Sequence, residues 1–231
     1  SEDLPSLRID VYDLVGYEVR RVDVPLDGGR PLASDGPATG VHAGGILQRL
    51  REGHRTLMHE AASNFVRKAL TREPIKPGPV LEIGGRNING TVRPFFADIG
   101  PYASIDLYPG DGVDLVGDVL DMDPRETAKR LFNRKGVACV VCCEVLEHAK
   151  KPRSLCAWAH RILMPAGVLI LTAANPLRFT HSGIDGGPLH PGEYYHGVSE
   201  AELKTWLRSF THKTITVEGA DIYAVARKGT R

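Results

Sequence analysis

Short, uninterrupted apolar runs recur through the middle of the chain, separated by segments whose apolar residues fall three and four apart. Val80–Ile83 comes first, entered through Pro77-Gly78-Pro79 and left through Gly84-Gly85. Tyr102–Ile105 ends in Asp106, Val113–Gly117 ends in Asp118, and Val137–Cys143 leads into Glu144. Val168–Leu171 opens after Pro165-Ala166-Gly167. Short runs of this kind predict strands, and Val137–Cys143, apolar throughout, predicts one buried on both faces, the habit of parallel sheets. Helical spacing runs over about residues 45–70, through Ile46, Leu47, Leu50, Leu57, Ala61, Phe65, Val66 and Leu70. Asp123-Pro124-Arg125-Glu126 predicts a helix start, with the helix reaching about Lys135 and closed by Gly136. Pro152 opens another through Leu163, and Ser199-Glu200-Ala201-Glu202 is a capping box for one running to about Phe210. Thr214–Val217 and Ile222–Ala226 are joined by too short a link for a crossover, so they must pair antiparallel. The expected fold is α/β: a seven-stranded, mostly parallel sheet with an antiparallel C-terminal hairpin and helices on both faces.

Residues 1–42 follow another rule. Leu7–Tyr12 and Tyr17–Val24 alternate apolar and polar positions about Gly16, which predicts a small β-ribbon. Asp27-Gly28-Gly29-Arg30-Pro31 and Ser34-Asp35-Gly36-Pro37 are turn and loop chemistry. We expect an N-terminal extension over residues 1–42, which could serve as a lid, a dimer arm or an unrelated extension, and a main domain over 43–231.

Charge narrows the partners. With 29 basic and 28 acidic side chains the formal net charge is +1, which predicts no polyanion partner outside a local patch, and a nucleic-acid partner is disfavoured. No apolar run approaches the ~20 residues of a membrane span, and no signal peptide is visible. Cys139 and Cys142 make a C-x-x-C, but on a strand residues three apart face opposite ways and cannot share a metal. Free, buried cysteines fit a reducing cytoplasm.

The chemistry sits at the first two runs. A glycine turn after a buried strand, then an acid at the tip of the next, is how α/β folds hold a nucleoside. A dinucleotide fingerprint would need G-x-G-x-x-G, and Arg86 breaks it, the next glycine being Gly90. Glu82, two positions before Gly84, suits a ligand with a cationic amino-acid end. Read on through Arg86-Asn87-Ile88-Asn89-Gly90-Thr91-Val92-Arg93, the stretch resembles the first motif of class I S-adenosylmethionine (SAM)-dependent methyltransferases, a Rossmann-like family. It is most similar to the methyltransferase type 11 group, although Arg86 stands in the place of the motif's second glycine. The order of strands and helices carries the resemblance over about residues 58–228.

The resemblance implies SAM as cofactor. It implies that Gly84 and Gly85 let the backbone approach the methionine part, while Glu82 holds its amino group through water. Asp106 would take the ribose hydroxyls and Leu107 pack on adenine. Asp118 would bond the adenine amino group, with Val119 beside the ring, and Cys143 at the fourth strand's tip would line the same groove.

Two further segments offer acceptor chemistry. If Glu144-Val145-Leu146-Glu147-His148 is one helical turn, Glu144, Glu147 and His148 share a face. The long segment from Asn175 to Val198 holds His181, His190 and His196, with Tyr194 and Tyr195 able to wall a ring-shaped acceptor. An oxygen acceptor needs its proton removed, and His148, His190 and Glu144 are the candidates for that work. The expected reaction is O-methylation of a small hydroxylated molecule or glycan, without metal. One alternative is a metal-assisted RNA 2′-O-methyltransferase, whose ligand set the cluster resembles: Glu144, Glu147, His148 and a loop histidine such as His190. The other is a catalytically silent interaction subunit of the same fold.

Overall fold

The computed structural model describes the backbone of residues 6–12, 18–27 and 30–31, and residues 60–88 and 90–230 with their side chains. The chain divides into two compact units, Ser1–His54 and Arg55–Arg231. In the first, β1 (Ser6–Tyr12) pairs antiparallel with β2 (Glu18–Asp27), Leu7 opposite Val24, and β2 pairs with β3 (Arg30–Pro31). The helical pattern over residues 45–59 lies outside the described residues; residues 60–72 form α1.

The second unit is built on a seven-stranded sheet. Its strands are β4 (Val80–Ile83), β5 (Tyr102–Asp106), β6 (Leu115–Val116), β7 (Val137–Cys143), β8 (Leu163–Ala174), β9 (His212–Glu218) and β10 (Asp221–Arg227). The spatial order is β6-β5-β4-β7-β8-β10-β9. β4 pairs parallel with β5, Ile83 opposite Ile105, and with β7, Ile83 opposite Cys142. β10 returns antiparallel against both β8 and β9, as so short a hairpin link requires. The chain winds outward from β4 to β6 and then crosses to β7, so strand order reverses between β4 and β7. Ligands of open α/β sheets collect outside the carboxyl ends of the strands at such a point.

Both sheet faces are covered, which is why the strands read as unbroken apolar runs. One core gathers Leu81, Ile83, Val140, Cys142, Leu169 and Leu171 with residues of α2 (Pro124–Phe132), α3 (Pro152–Ile162) and α4 (Glu200–Trp206). The other gathers Val80, Cys139, Val141, Val168 and Ile170 with Val66 and Ala69 of α1. Cys139 and Cys142 therefore lie on opposite faces, each buried, and burial raises both thiol pKa values.

Several boundaries differ from expectation. α2 stops at Phe132 because Asn133 takes the left-handed conformation (φ 52°), ending the helix before Gly136 is reached. The crossover from β4 to β5 holds only a 3-10 turn, Arg93–Phe96. β8 begins at Leu163, directly after α3, and runs through Pro165-Ala166-Gly167 with Ala166 at φ 64° and its register with β7 shifted. Glu144, Glu147 and His148 do not share a helical turn. Glu144 stands alone at φ 57°, and the 3-10 turn starts after it, at Leu146–His148.

Candidate functional site

The glycine turn is dictated first by the protein itself. Gly84 sits at φ 77°, where a side chain is strained, and a Cβ there would collide with Val145. A Cβ on Gly85 would collide with Ser104 and lie 2.8 Å from Glu82 Oε2. Glu82 therefore lies beneath the turn, 6% exposed. Burial lifts its pKa to about 7, against the pull of the Tyr102 hydroxyl and of Arg93.

Across the parallel pair, Asp106 is half-buried with both oxygens engaged by the loops around it: Oδ2 accepts from Arg86 N (3.2 Å) and Oδ1 from Tyr108 N (3.0 Å). Leu107 beside it is 59% exposed, an apolar side chain with its face open. Asp118 caps the 3-10 turn Val119–Asp121, accepting from Leu120 N at 2.8 Å, and Val119 is packed into the core at 4% exposure. Cys143 is half-buried at the end of β7, and burial, with Glu82 and Glu144 adding to it, raises its thiol pKa.

The second half of the site is organised by Arg178, a residue the sequence pattern does not single out. It lies between exposed Leu177 and Phe179, yet its own side chain is 1% exposed. Its Nη1 pairs with Glu144 and its Nη2 with Asp221, and Glu147 Oε1 stands 3.8 Å away. Burial opposes the charge, but Glu144, Asp221 and Glu147 outweigh it and hold Arg178 ionised. Glu144 also accepts from Thr172 Oγ1 (2.8 Å), and Asp221 from the Tyr223 hydroxyl (2.9 Å). Glu144 is thus a structural anchor of β8 and its following loop.

Glu147 is the most enclosed acid of the group. Its Oε1 accepts from Ala174 N at 3.0 Å, while Oε2 is buried without a partner. Burial, with the neighbouring Glu144 adding to it, raises its carboxyl pKa. His148 follows it, with Nδ1 buried and unpartnered. Burial and His181 depress its pKa to about 4, which keeps the imidazole neutral.

The loop after β8 brings one histidine here, and it is His181. The rings of His148, His181 and Tyr195 meet edge-to-face, with centroids 5.0–5.3 Å apart. The Tyr195 hydroxyl is likewise buried without a partner. Ligating atoms of Glu147, His148 and His181 all lie within 4.8 Å of one another, close enough for one cation. His190 is elsewhere: its Nε2 meets Asp185 Oδ2 at 3.1 Å on a side chain 47% exposed. His196 bonds Glu202 at 3.1 Å. The loop is tied internally by Glu193, which accepts from Ser182 Oγ, Gly183 N and His190 N.

No family model matches the sequence, and no curated protein matches it significantly. Solved structures do match. The CMeT domain of the citrinin polyketide synthase aligns with a TM-score of 0.53 at 15% identity, over 76% of this chain and 53% of that one. The 1,6-didemethyltoxoflavin-N1-methyltransferase of Burkholderia thailandensis, solved with 1,6-didemethyltoxoflavin and S-adenosylhomocysteine, aligns at 0.50 and 18% identity over 88% and 97%. The fold is that of the class I methyltransferases. At these identities the likeness carries the fold, and this chain spans only about half of the citrinin synthase chain. The switch point of that methyltransferase fold is where Gly84-Gly85, Asp106, Glu147 and His148 gather at the carboxyl ends of β4, β5 and β7.

Proposed function

We propose that this chain is a SAM-dependent methyltransferase, akin to the type 11 group, that methylates an oxygen of a small hydroxylated molecule or glycan in the cytoplasm. The observation that carries the reading is Asp106, half-exposed at the tip of β5 across from the Gly84-Gly85 turn, with Leu107 open beside it. SAM, when bound, supplies a methyl group on a cationic sulfur, open to in-line attack. Asp106 receives the ribose hydroxyls, Leu107 covers the adenine, and Asp118 borders it with the oxygen its cap leaves over. Alignment of donor and acceptor in a water-poor groove contributes much of the rate.

The acceptor hydroxyl lies against the ring cluster of His148, His181 and Tyr195. His148, held neutral by burial, takes the hydroxyl proton as the oxygen attacks. His190, bonded to Asp185 and half-exposed, lies outside that ring cluster. The N-terminal extension is proposed as a homodimer arm.

SAM binding is tested by titration calorimetry of wild type and Asp106→Ala. Loss of the charge-assisted hydrogen bonds to ribose is expected to cost about 1.5–3 kcal/mol, roughly 10- to 100-fold in Kd. Equal affinity in the two proteins would remove Asp106 from the site.

A second reading is favoured by the convergence of Glu147, His148 and His181. A divalent cation there would lower the pKa of a bound hydroxyl, as in metal-assisted 2′-O-methylation. Against it, Glu144 is committed to Arg178 and Thr172, which leaves one carboxylate and two imidazoles for the cation. Turnover is therefore expected to survive exhaustive chelation with EDTA. Activity lost on chelation and restored by Mg²⁺ or Mn²⁺ would put the metal-assisted reading first.

A further inference from the structure

Arg86, which stands where the methyltransferase motif has a glycine, joins the two halves of the site. Its main-chain N–H donates to Asp106 Oδ2 at 3.2 Å. Its side chain runs past Gly110, where a Cβ would lie 2.8 Å from Arg86 Cγ and Cδ, and its Cζ lies 5.4 Å from the centroid of the Tyr108 ring. The guanidinium ends on the loop after β8, Nη2 donating to the carbonyls of Ile184 (3.0 Å) and Gly183 (3.4 Å). Gly183 in turn lies beside His148: a Cβ built there would stand 3.1 Å from the ring's Cγ and Nδ1. Hydrogen bonds thus run from Asp106, through Arg86, to the turn that lies beside His148.

The turn does not need Arg86 for its shape. Ser182 N donates to Gly187 O (2.7 Å), Gly186 N to Ser182 O (2.9 Å), and Glu193 ties Ser182 and Gly183 from the other side. What Arg86 adds is attachment of that preformed turn to the cofactor loop. A planar guanidinium can reach two successive carbonyls from one nitrogen, and its charge strengthens both bonds; a glycine would leave those carbonyls to water.

We propose that Arg86 is a positioning residue that couples occupation of Asp106 to closure of the 182–187 turn over His148. The inference rests on reading Asp106 as the ribose acid. A ribose on the Asp106 carboxylate orders the main chain of Arg86, and the guanidinium passes that order to Gly183 and Ile184.

The test is amide hydrogen exchange by mass spectrometry on the whole chain, with and without S-adenosylhomocysteine, in wild type, Arg86→Ala and Arg86→Lys. Calorimetry of the same ligand accompanies it. Without ligand, the 182–187 amides are expected to exchange about ten-fold faster in Arg86→Ala, with β4 and β7 unchanged. With ligand, wild type gains protection in the turn. Arg86→Ala binds the ligand within about three-fold of wild type but gains none there, and Arg86→Lys recovers part of it. Equal turn exchange in unliganded wild type and Arg86→Ala would overturn the proposal. So would ligand-induced protection of the turn in Arg86→Ala, or a loss of ligand affinity there beyond about ten-fold, which would make Arg86 a ligand contact. A wild type that binds no S-adenosylhomocysteine would overturn the ribose assignment of Asp106, and the unliganded comparison would still report on the latch.

Discussion

Replacing Arg178 by methionine is expected to destabilise the second unit by about 3–5 kcal/mol, the cost of leaving buried carboxylates without their cation. Glu144 and Asp221 both end on this guanidinium, and Glu147 stands beside it. Methionine fills much of the same volume, so the loss is electrostatic rather than a cavity. In a chain of this size the melting temperature should fall by roughly 10 °C or more. Glu144→Gln keeps a hydrogen-bonding partner for Thr172 and should cost much less. Thermal and urea unfolding of both variants decide the point; a loss below about 1 kcal/mol for Arg178→Met would mean that the network adds little to stability.

The second large effect is expected at His148. His148→Gln should slow methyl transfer by about 10²- to 10⁴-fold, the usual contribution of a positioned base, with SAM affinity unchanged. Initial rates with labelled SAM and a panel of small hydroxylated acceptors measure it. With its pKa near 4, the imidazole is already neutral through the neutral range, so the acid limb of kcat should lie well below pH 6. The linkage to stability has a definite sign. The folded pKa is depressed below the ordinary 6.5, so between about 6.5 and 4 the unfolded chain binds more protons. His148 therefore contributes stability that is present above pH 6.5 and lost as pH falls toward 4, on the order of 3 kcal/mol over that window. His148→Phe should flatten this part of the stability profile. A rate limb near pH 6.5, together with an unchanged profile in that variant, would show His148 to be an exposed, ordinary imidazole.

How far the sequence could be read is seen in particular residues. β4 and β7 were legible because both faces are covered, which leaves unbroken apolar runs. The terminal hairpin was legible because four linking residues, Glu218 to Asp221, allow no crossover. The capping box at Ser199 and Glu202 forms with both of its reciprocal hydrogen bonds. Asp106 at the tip of β5 follows from the strand's end.

What was not legible depends on contacts between distant segments. Nothing local marks Arg178 as buried; that follows from β8 and β10 lying side by side, which brings Asp221 beside the loop. No spacing distinguishes His181 from His190, because the choice depends on how Glu193 folds the loop back on itself. Spacing alone would put Glu144 on one helical turn with Glu147 and His148. Its left-handed backbone instead aims the side chain at Thr172 and Arg178. At Gly84 and Gly85, besides any ligand's approach, packing against Val145, Ser104 and Glu82 requires glycine, and no local pattern shows that.

The central claim is that SAM binds across the carboxyl ends of β4, β5 and β7. Its most direct test is a co-crystal structure of the wild-type chain with S-adenosylhomocysteine. The account predicts ribose hydroxyls on Asp106, adenine against Leu107 and the sulfur facing the ring cluster of His148, His181 and Tyr195. A nucleoside bound away from Asp106, or no binding in crystals grown at saturating ligand, would contradict it.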